Sequence, residues 1–549
     1  MAFSELLEQA GGMGLFQCLL ISSCFVITLI IPAQILMDVF LVATPGHRCW
    51  VRMLDNGSEV PTNLTLEALL AISIPLGPND EPDQCLRFRQ PQWQLLEPNA
   101  TAAHWSKAAT EPCLDGWVYN RSIFTSTIVA EWGLVCARQN LKPMGQAIFM
   151  AGILLGFAVW GLLSYWFGRK LLLLWCCLHV AVANSSTVFA PNFLVYCALR
   201  FLSALGLSGI ILTATTLLVE WNPTGWVNVV ITIMGCTYSL GQVVLGGLAF
   251  ALRDWRTLSL TLSIPFFAFF LICWWVPESA RWLIMKGKPD RALQELKKIA
   301  RLNGHKEVEK TLTIEVVLYS MKEELASTKS QHSMLDLFRV PILRLRTMYL
   351  AIASVCILIS YYGLMLDLQS LGNDIFLLQV LFGTVDVLGR STCSFLLRFF
   401  GCRKALTTFT AAAGLCILAN VLVPQDLQTL RLVFAVLGKG CLGVSSTILI
   451  VYKSGLFPTS QRMVADGFLQ SVGRLGAVIG PLIRMTRQAV PLLPPIIYGA
   501  AAIIAGLAIL FLPETQGFPL PDTIQDLENQ LAATRHNRQE VVIIESTWF

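Results

Sequence analysis

Twelve apolar runs, each long enough to cross a hydrocarbon core, constrain this chain more than any other feature of it. They lie near 15–40, 144–164, 171–190, 194–218, 227–251, 257–276, 347–366, 375–397, 405–423, 431–452, 464–484 and 493–512. In lipid each backbone N–H and C=O must find its partner within the protein, so runs of this length are helices. The chain is 14% charged, where a soluble protein carries about 25%. The expected class is therefore an all-α membrane protein. The first run has no small-residue cleavage site behind it and reads as a retained helix. The net charge of +5 is clustered in loops, which is a topology signal and does not suggest nucleic acid.

The longest polar insertion, 44–140, holds Cys49, Cys85, Cys113 and Cys136, which allow three disulfide connectivities. It also holds four glycosylation sequons, at Asn56, Asn63, Asn99 and Asn120. Cysteines and sequons together place it outside the cell, which puts residues 1–14 in the cytosol. Asn184 also begins a sequon, but inside an apolar run, and is discounted. The other twelve cysteines lie in or beside apolar runs, where a thiol behaves as a small hydrophobe. The second polar stretch, 282–346, then falls inside. It carries 14 Lys/Arg against 8 Asp/Glu from Arg281 to Arg346, as cytosolic loops do. Within it, 288–303 places Ala292, Leu293, Leu296, Ile299 and Ala300 at helical spacing. This predicts either an amphipathic helix on the inner membrane surface or a plain linker between two bundles.

The two halves repeat. Phe167-Gly168-Arg169-Lys170 after the second run matches Phe400-Gly401-Cys402-Arg403 after the eighth. Pro223-Thr224 matches Pro458-Thr459, and Pro277-Glu278-Ser279 matches Pro513-Glu514-Thr515. The offsets are 401−168 = 233, 458−223 = 235 and 513−277 = 236. Three matches in order at nearly one offset indicate a duplicated six-helix unit, 15–281 and 347–512, followed by a tail, 513–549. Paired repeats in a membrane chain indicate a transporter with its site between the halves. No phosphate-binding loop is present: Lys288 and Lys439 follow glycines, but Pro289 and Gly440 come next. The sequence offers no support for an enzyme, a cofactor or a metal site.

Gly161-Leu162-Leu163-Ser164-Tyr165-Trp166-Phe167-Gly168-Arg169-Lys170 resembles the loop signature of the major facilitator superfamily. Pro277-Glu278-Ser279-Ala280-Arg281-Trp282-Leu283, Pro513-Glu514-Thr515 and the Cys113–Tyr119 segment resemble its organic-ion transporter branch. Met1–Ser4, Arg87–Leu96 and Phe376–Gln379 are similar to the organic anion and urate transporters. The resemblance spans essentially the whole chain. It implies twelve transmembrane helices in two six-helix bundles, with a glycosylated ectodomain after the first helix. It further implies a sodium-independent plasma-membrane exchanger of sulfated steroids, urate-like anions and dicarboxylates, possible apical placement in epithelium, and the pairs Cys49–Cys113 and Cys85–Cys136.

An anion site in lipid needs positive charge, and a mid-span Arg costs roughly 2.5–3.5 kcal/mol on insertion scales. Arg474, between Gly473 and Gly476, stands where the resemblance implies a basic residue in anion carriers and an acidic one in cation carriers. Arg390 also matches a basic family position, and its fork suits carboxylate or sulfate. Asp386, four residues before it, shares its helix face, so the alternative to substrate contact is that the two neutralise each other. Lys439 is a further candidate, with a stem long enough to snorkel outward. Tyr361, Tyr362 and Tyr238 match aromatic cavity positions, Gln242 is one turn from Tyr238, and Gln34 is a weaker candidate. Ser446 stands where some relatives have an aromatic residue.

On the cytosolic side the resemblance implies charges that bridge the bundles, here Arg169, Glu220, Glu278, Arg281 and Arg462. Several are missing: Tyr165 replaces an acidic residue, Cys402 an Arg and Gly455 a Glu, and Asn222–Trp226 lacks its usual Arg. A weakened inner gate is the expected consequence. The ending Thr547-Trp548-Phe549 suits a PDZ-type partner. Two rival readings remain at this stage, a cation carrier on the same fold and a transport-dead sensor or scaffold.

Overall fold

The computed structural model describes residues 7–8, 12–56, 64–77, 81–96, 109–305, 311–319, 336–371, 374–424, 426–457 and 459–515; of 96, 224, 228, 336, 394, 398, 454 and 459–463 it describes the backbone alone. The sequons at Asn63 and Asn99, the side chain of Arg462 and the tail Thr547–Phe549 lie outside what is described.

Among the described residues twelve helices have 18 residues or more. Spans 1 to 6 are Leu15–Leu36, Leu141–Phe167, Arg169–Thr187, Phe193–Trp221, Thr224–Ala251 and Trp255–Trp275. Spans 7 to 12 are Pro341–Met365, Ile375–Phe399, Cys402–Leu422, Gln428–Leu456, Thr459–Ile483 and Leu493–Leu510. Eleven of these segments are apolar enough to cross a membrane by composition alone. The remaining one, span 11, is the helix that carries Asp466 and Arg474. Span 7 begins at Pro341, six residues before the apolar run near 347. Arg344 and Arg346 interrupt the apolar pattern but continue the helix, and buried Arg346 donates to the Leu456 carbonyl.

Packing follows the repeat. Span 1 packs on 5, 2 on 4, 3 on 4 and 3 on 6; 7 on 11, 8 on 10, 9 on 10 and 9 on 12 recur in the second half. The halves meet through the pairs 5–8 and 2–11, each the counterpart of the other when the halves are exchanged. Small residues permit the close approach of spans 5 and 8. A Cβ at Gly383 would lie 2.9 Å from the backbone N of Val243.

The insertion between spans 1 and 2 forms a small domain on one side of the bundle. Two antiparallel strand pairs, His47–Cys49 with Trp117–Tyr119 and Leu86–Phe88 with Thr110–Pro112, organise it. Cys49 is joined to Cys113, and Cys85 to Cys136. Glu131 anchors it to the bundle by pairing with Arg256 and accepting from the Trp255 indole at 2.9 Å. Asn120 is exposed, and Asn56 ends the short helix Arg52–Asp55.

The linker helix Pro289–Leu302 does not offer its apolar face to lipid. Ala292, Leu296, Ile299 and Ala300 are buried in protein, and Ile299 and Leu302 border a crevice with Phe16 and Trp275. Asn303 at its end accepts from the Phe16 backbone N–H at 2.9 Å and donates to Gln17 at 3.0 Å. It therefore satisfies one of the first-turn N–H groups of span 1, which have no partner within the helix.

Candidate substrate site and gates

Four spans bring one buried polar cluster together at mid-depth. Asp386 on span 8 receives the Lys439 ammonium from span 10 at 2.7 Å, and neither side chain has exposed surface. The same carboxylate oxygen accepts from Tyr361 of span 7 and Gln242 of span 5, each at 3.2 Å. Lys439 also lies over the Tyr361 ring at 3.8 Å. This decides two alternatives that the sequence left open. Lys439 does not snorkel, because it is sealed among helices with a carboxylate in reach. Asp386 pairs with Lys439 and not with Arg390, its neighbour one turn along the same helix.

Arg390 and Arg474 lie one layer toward the linker side and are both half-buried. Arg390 lies beside Tyr361, and its Nε has no partner. Arg474 donates to the Tyr362 hydroxyl at 3.3 Å and faces the Phe157 ring of span 2 at 5.0 Å. Among the described residues neither arginine has a carboxylate within ion-pair distance. Tyr238 completes the layer beside Tyr361, Tyr362 and Arg474. The cluster thus holds three cations against one carboxylate, which leaves two positive charges. Phe157 is a site residue the sequence did not single out; it looks like any apolar position of span 2. Gln34 stands elsewhere. It takes part in a buried network of the first half, with Asn184 at 2.8 Å and the Leu262 carbonyl at 2.8 Å.

The halves are bonded to each other on the side of the small domain. Thr44 exchanges two bonds with Gln369, at 2.9 and 2.7 Å, and Asn140 donates to Gln488 at 2.6 Å. Phe376 of span 8 stacks on Phe40 at 5.4 Å and touches Phe124 and Phe250 of the other half. On the linker side of the Asp386–Lys439 pair the two bundles share a single weak hydrogen-bonding contact among the described residues, between the Cys236 thiol and the Ser391 hydroxyl at 3.6 Å. The structure is therefore closed toward the small domain.

The expected gating charges tie together the ends of one half. Arg169 pairs with Glu220 at 3.1 Å. Glu278 accepts from the backbone N–H groups of Arg169 and Ser279 at 2.9 Å. Burial raises its carboxyl above the ordinary range, against the pull of those N–H groups. Arg281 lies beside Glu220. Gly168, at φ +89, lets Glu278 come close, since a Cβ there would sit 2.4 Å from the carboxylate.

In the second half Glu514 repeats this part, accepting from the Arg403 and Thr515 backbones at 3.2 and 3.0 Å. The Arg169–Glu220 pair has no such copy. Its counterparts are Cys402 (402−169 = 233) and Gly455 (455−220 = 235). The two positions converge on Thr515: the Cys402 side chain lies beside it, and a Cβ at Gly455 would lie 3.4 Å from it. Both members of one ion pair are thus gone together. Gly455→Glu is expected to change transport rate more than KM, since it acts on a gate and not on the substrate. Adding Cys402→Arg should restore surface levels that a lone half-buried carboxylate lowers. Rates that stay at wild-type level in both variants would refute this role.

The model of the sugar (and other) transporter family matches residues 119–526. The chain is 64% identical to human solute carrier family 22 member 11, over all of both chains. It is 47% identical to human solute carrier family 22 member 12, again over all of both. The chain belongs to solute carrier family 22. This solute carrier is also 44% identical to the human steroid transmembrane transporter SLC22A24 over the full length of both. Its fold is that of the E. coli xylose transporter XylE, with a TM-score of 0.59 at 13% identity, covering 93% of this chain and 99% of that one. XylE is a major facilitator superfamily protein. This carrier is accordingly a multi-pass membrane transporter of that fold and not an enzyme.

Proposed function

We propose that this carrier exchanges amphipathic organic anions across the plasma membrane by alternating access, with its small domain outside and both termini in the cytosol. The observation that carries the reading is the pair of half-buried arginines, Arg390 and Arg474, left without a carboxylate while the one acidic group nearby is bound by Lys439. Two uncompensated guanidinium groups at this depth are costly unless an anion completes them. A cation carrier would need Asp386 free, and it is not. Tyr238, Tyr361, Tyr362 and Phe157 supply ring faces beside the charges, suited to steroid sulfates and urate-like anions. Similarity to a steroid transmembrane transporter supports the same substrate class. A dicarboxylate returning through the same residues would act as counter-anion.

The test is uptake of labelled estrone sulfate in cells expressing the full chain, with and without sodium and with dicarboxylate preloaded inside. Saturable, sodium-independent uptake stimulated by the preload is expected. Absence of uptake at normal surface expression would overturn the reading.

A further inference from the structure

The closed side of the carrier holds a second group of cations that the central site does not use. Lys142 of span 2 faces Arg484 and Arg487, which follow span 11, and Asp367, which follows span 7. Arg487 grips both Asp367 oxygens, and Arg484 lies 3.2 Å from the same carboxylate. Arg484 also donates to the Leu366 carbonyl at 2.8 Å and, across the interface between halves, to Gln146 at 2.7 Å. Among the described residues Lys142 donates only to the Thr44 hydroxyl, at 2.7 Å. Two arginines thus share one carboxylate, with the Lys142 ammonium a third cation nearby, where the two halves close.

A second observation points the same way. Gln146 is 2% exposed, and its Nε2 has no partner. Because its Oε1 accepts from Arg484, the amide cannot be turned round, and the orphan atom is a donor. A buried donor without a partner costs about 1–3 kcal/mol. Closing the halves brings Lys142 toward two arginines already sharing one carboxylate, and like charges in a closing interface oppose closure. An acceptor carrying negative charge removes both penalties.

We propose that this gate is an anion site in its own right. Lys142, Gln146, Arg484 and Arg487 enclose a small monovalent anion, either a free halide-sized ion or the acidic head of a passing substrate, and its presence favours closure. Asp367 offsets one of the three cations, so two positive charges remain, and a singly charged anion lowers that excess without cancelling it. Only the flux arm of the test below rests on the transport reading; the stability arm stands without it.

The stability arm compares melting of the purified full-length carrier in chloride and in gluconate at equal ionic strength. Wild type should melt higher in chloride. Lys142→Gln should lose that response. Gln146→Glu supplies the charge covalently and should melt in gluconate as wild type does in chloride, without responding further. This outcome supports the site with a free ion as ligand, even in a protein that moves no estrone sulfate. The flux arm measures KM for the organic anion from each side. If chloride has no effect on melting, Lys142→Gln should raise KM on the small-domain side by about tenfold, the loss of one charge-assisted hydrogen bond. KM on the opposite side should stay as it was. That outcome supports the substrate head as ligand. A chloride response that survives in both variants overturns the proposal. So does no response together with a Lys142→Gln KM that is unchanged on the small-domain side or altered equally on both.

Discussion

Replacing Arg474 with Ala should lower uptake of the organic anion by about ten- to a hundredfold at unchanged surface level. The size follows from losing one charge-assisted hydrogen bond of about 1.5–3 kcal/mol to the anion. The unchanged surface level follows from the company the residue keeps. An arginine that holds a fold together is bound to carboxylates or carbonyls, and removing it leaves those groups buried and unpaired. Arg474 has a hydroxyl at 3.3 Å and a ring face at 5.0 Å, neither of which is harmed by its loss. Arg474→Lys separates charge from shape. It keeps the charge but not the planar fork, so it should recover part of the rate with a poorer KM. Uptake normalised to surface protein decides the matter. Wild-type flux in Arg474→Ala, or flux lost only in step with surface protein, would move the anion site away from span 11.

The architecture was legible because its signals are long. Twenty apolar residues in a row leave little choice in lipid, and a duplication at one offset survives many substitutions. Those signals fixed where spans 5, 7, 8, 10 and 11 run, and hence that Gln242, Tyr361, Asp386, Lys439 and Arg474 share one depth. They did not fix which charge pairs with which. Asp386 and Arg390 share a helix face, and that spacing alone suggests a pair. In the folded protein a neighbouring helix offers a better partner, 53 residues away along the chain. The linker helix left a similar choice open. Its apolar stripe reads equally well for lipid or protein, and the small Ala292 and Ala300 that admit close packing carry no label. The cations of the closed gate were overlooked because each sits at a span end, where basic residues are ordinary interface anchors. Cys402 and Gly455 were each visible as departures. Only the shared contact with Thr515 shows them as the two halves of one lost ion pair.

The buried pair itself should behave unlike the arginines. Lys439→Met alone leaves Asp386 sealed without a countercharge, and Asp386→Asn alone leaves the Lys439 ammonium so. Breaking a buried pair from one side costs about 3–5 kcal/mol, enough to remove most folded protein from the surface. The double variant Asp386→Asn/Lys439→Met should return close to wild-type surface level, because both charges vanish together and the side-chain volumes are kept. Its transport then discriminates between two roles for Lys439. The double variant still holds Arg390 and Arg474, so the cluster keeps the two positive charges it had, and an anion held by those arginines should still be exchanged. Surface biotinylation and uptake of the same labelled anion measure both properties in one experiment. A double variant that reaches the surface yet moves nothing would place Lys439 on the substrate. Singles that express as well as wild type would mean the 2.7 Å contact is not the buried ion pair it resembles.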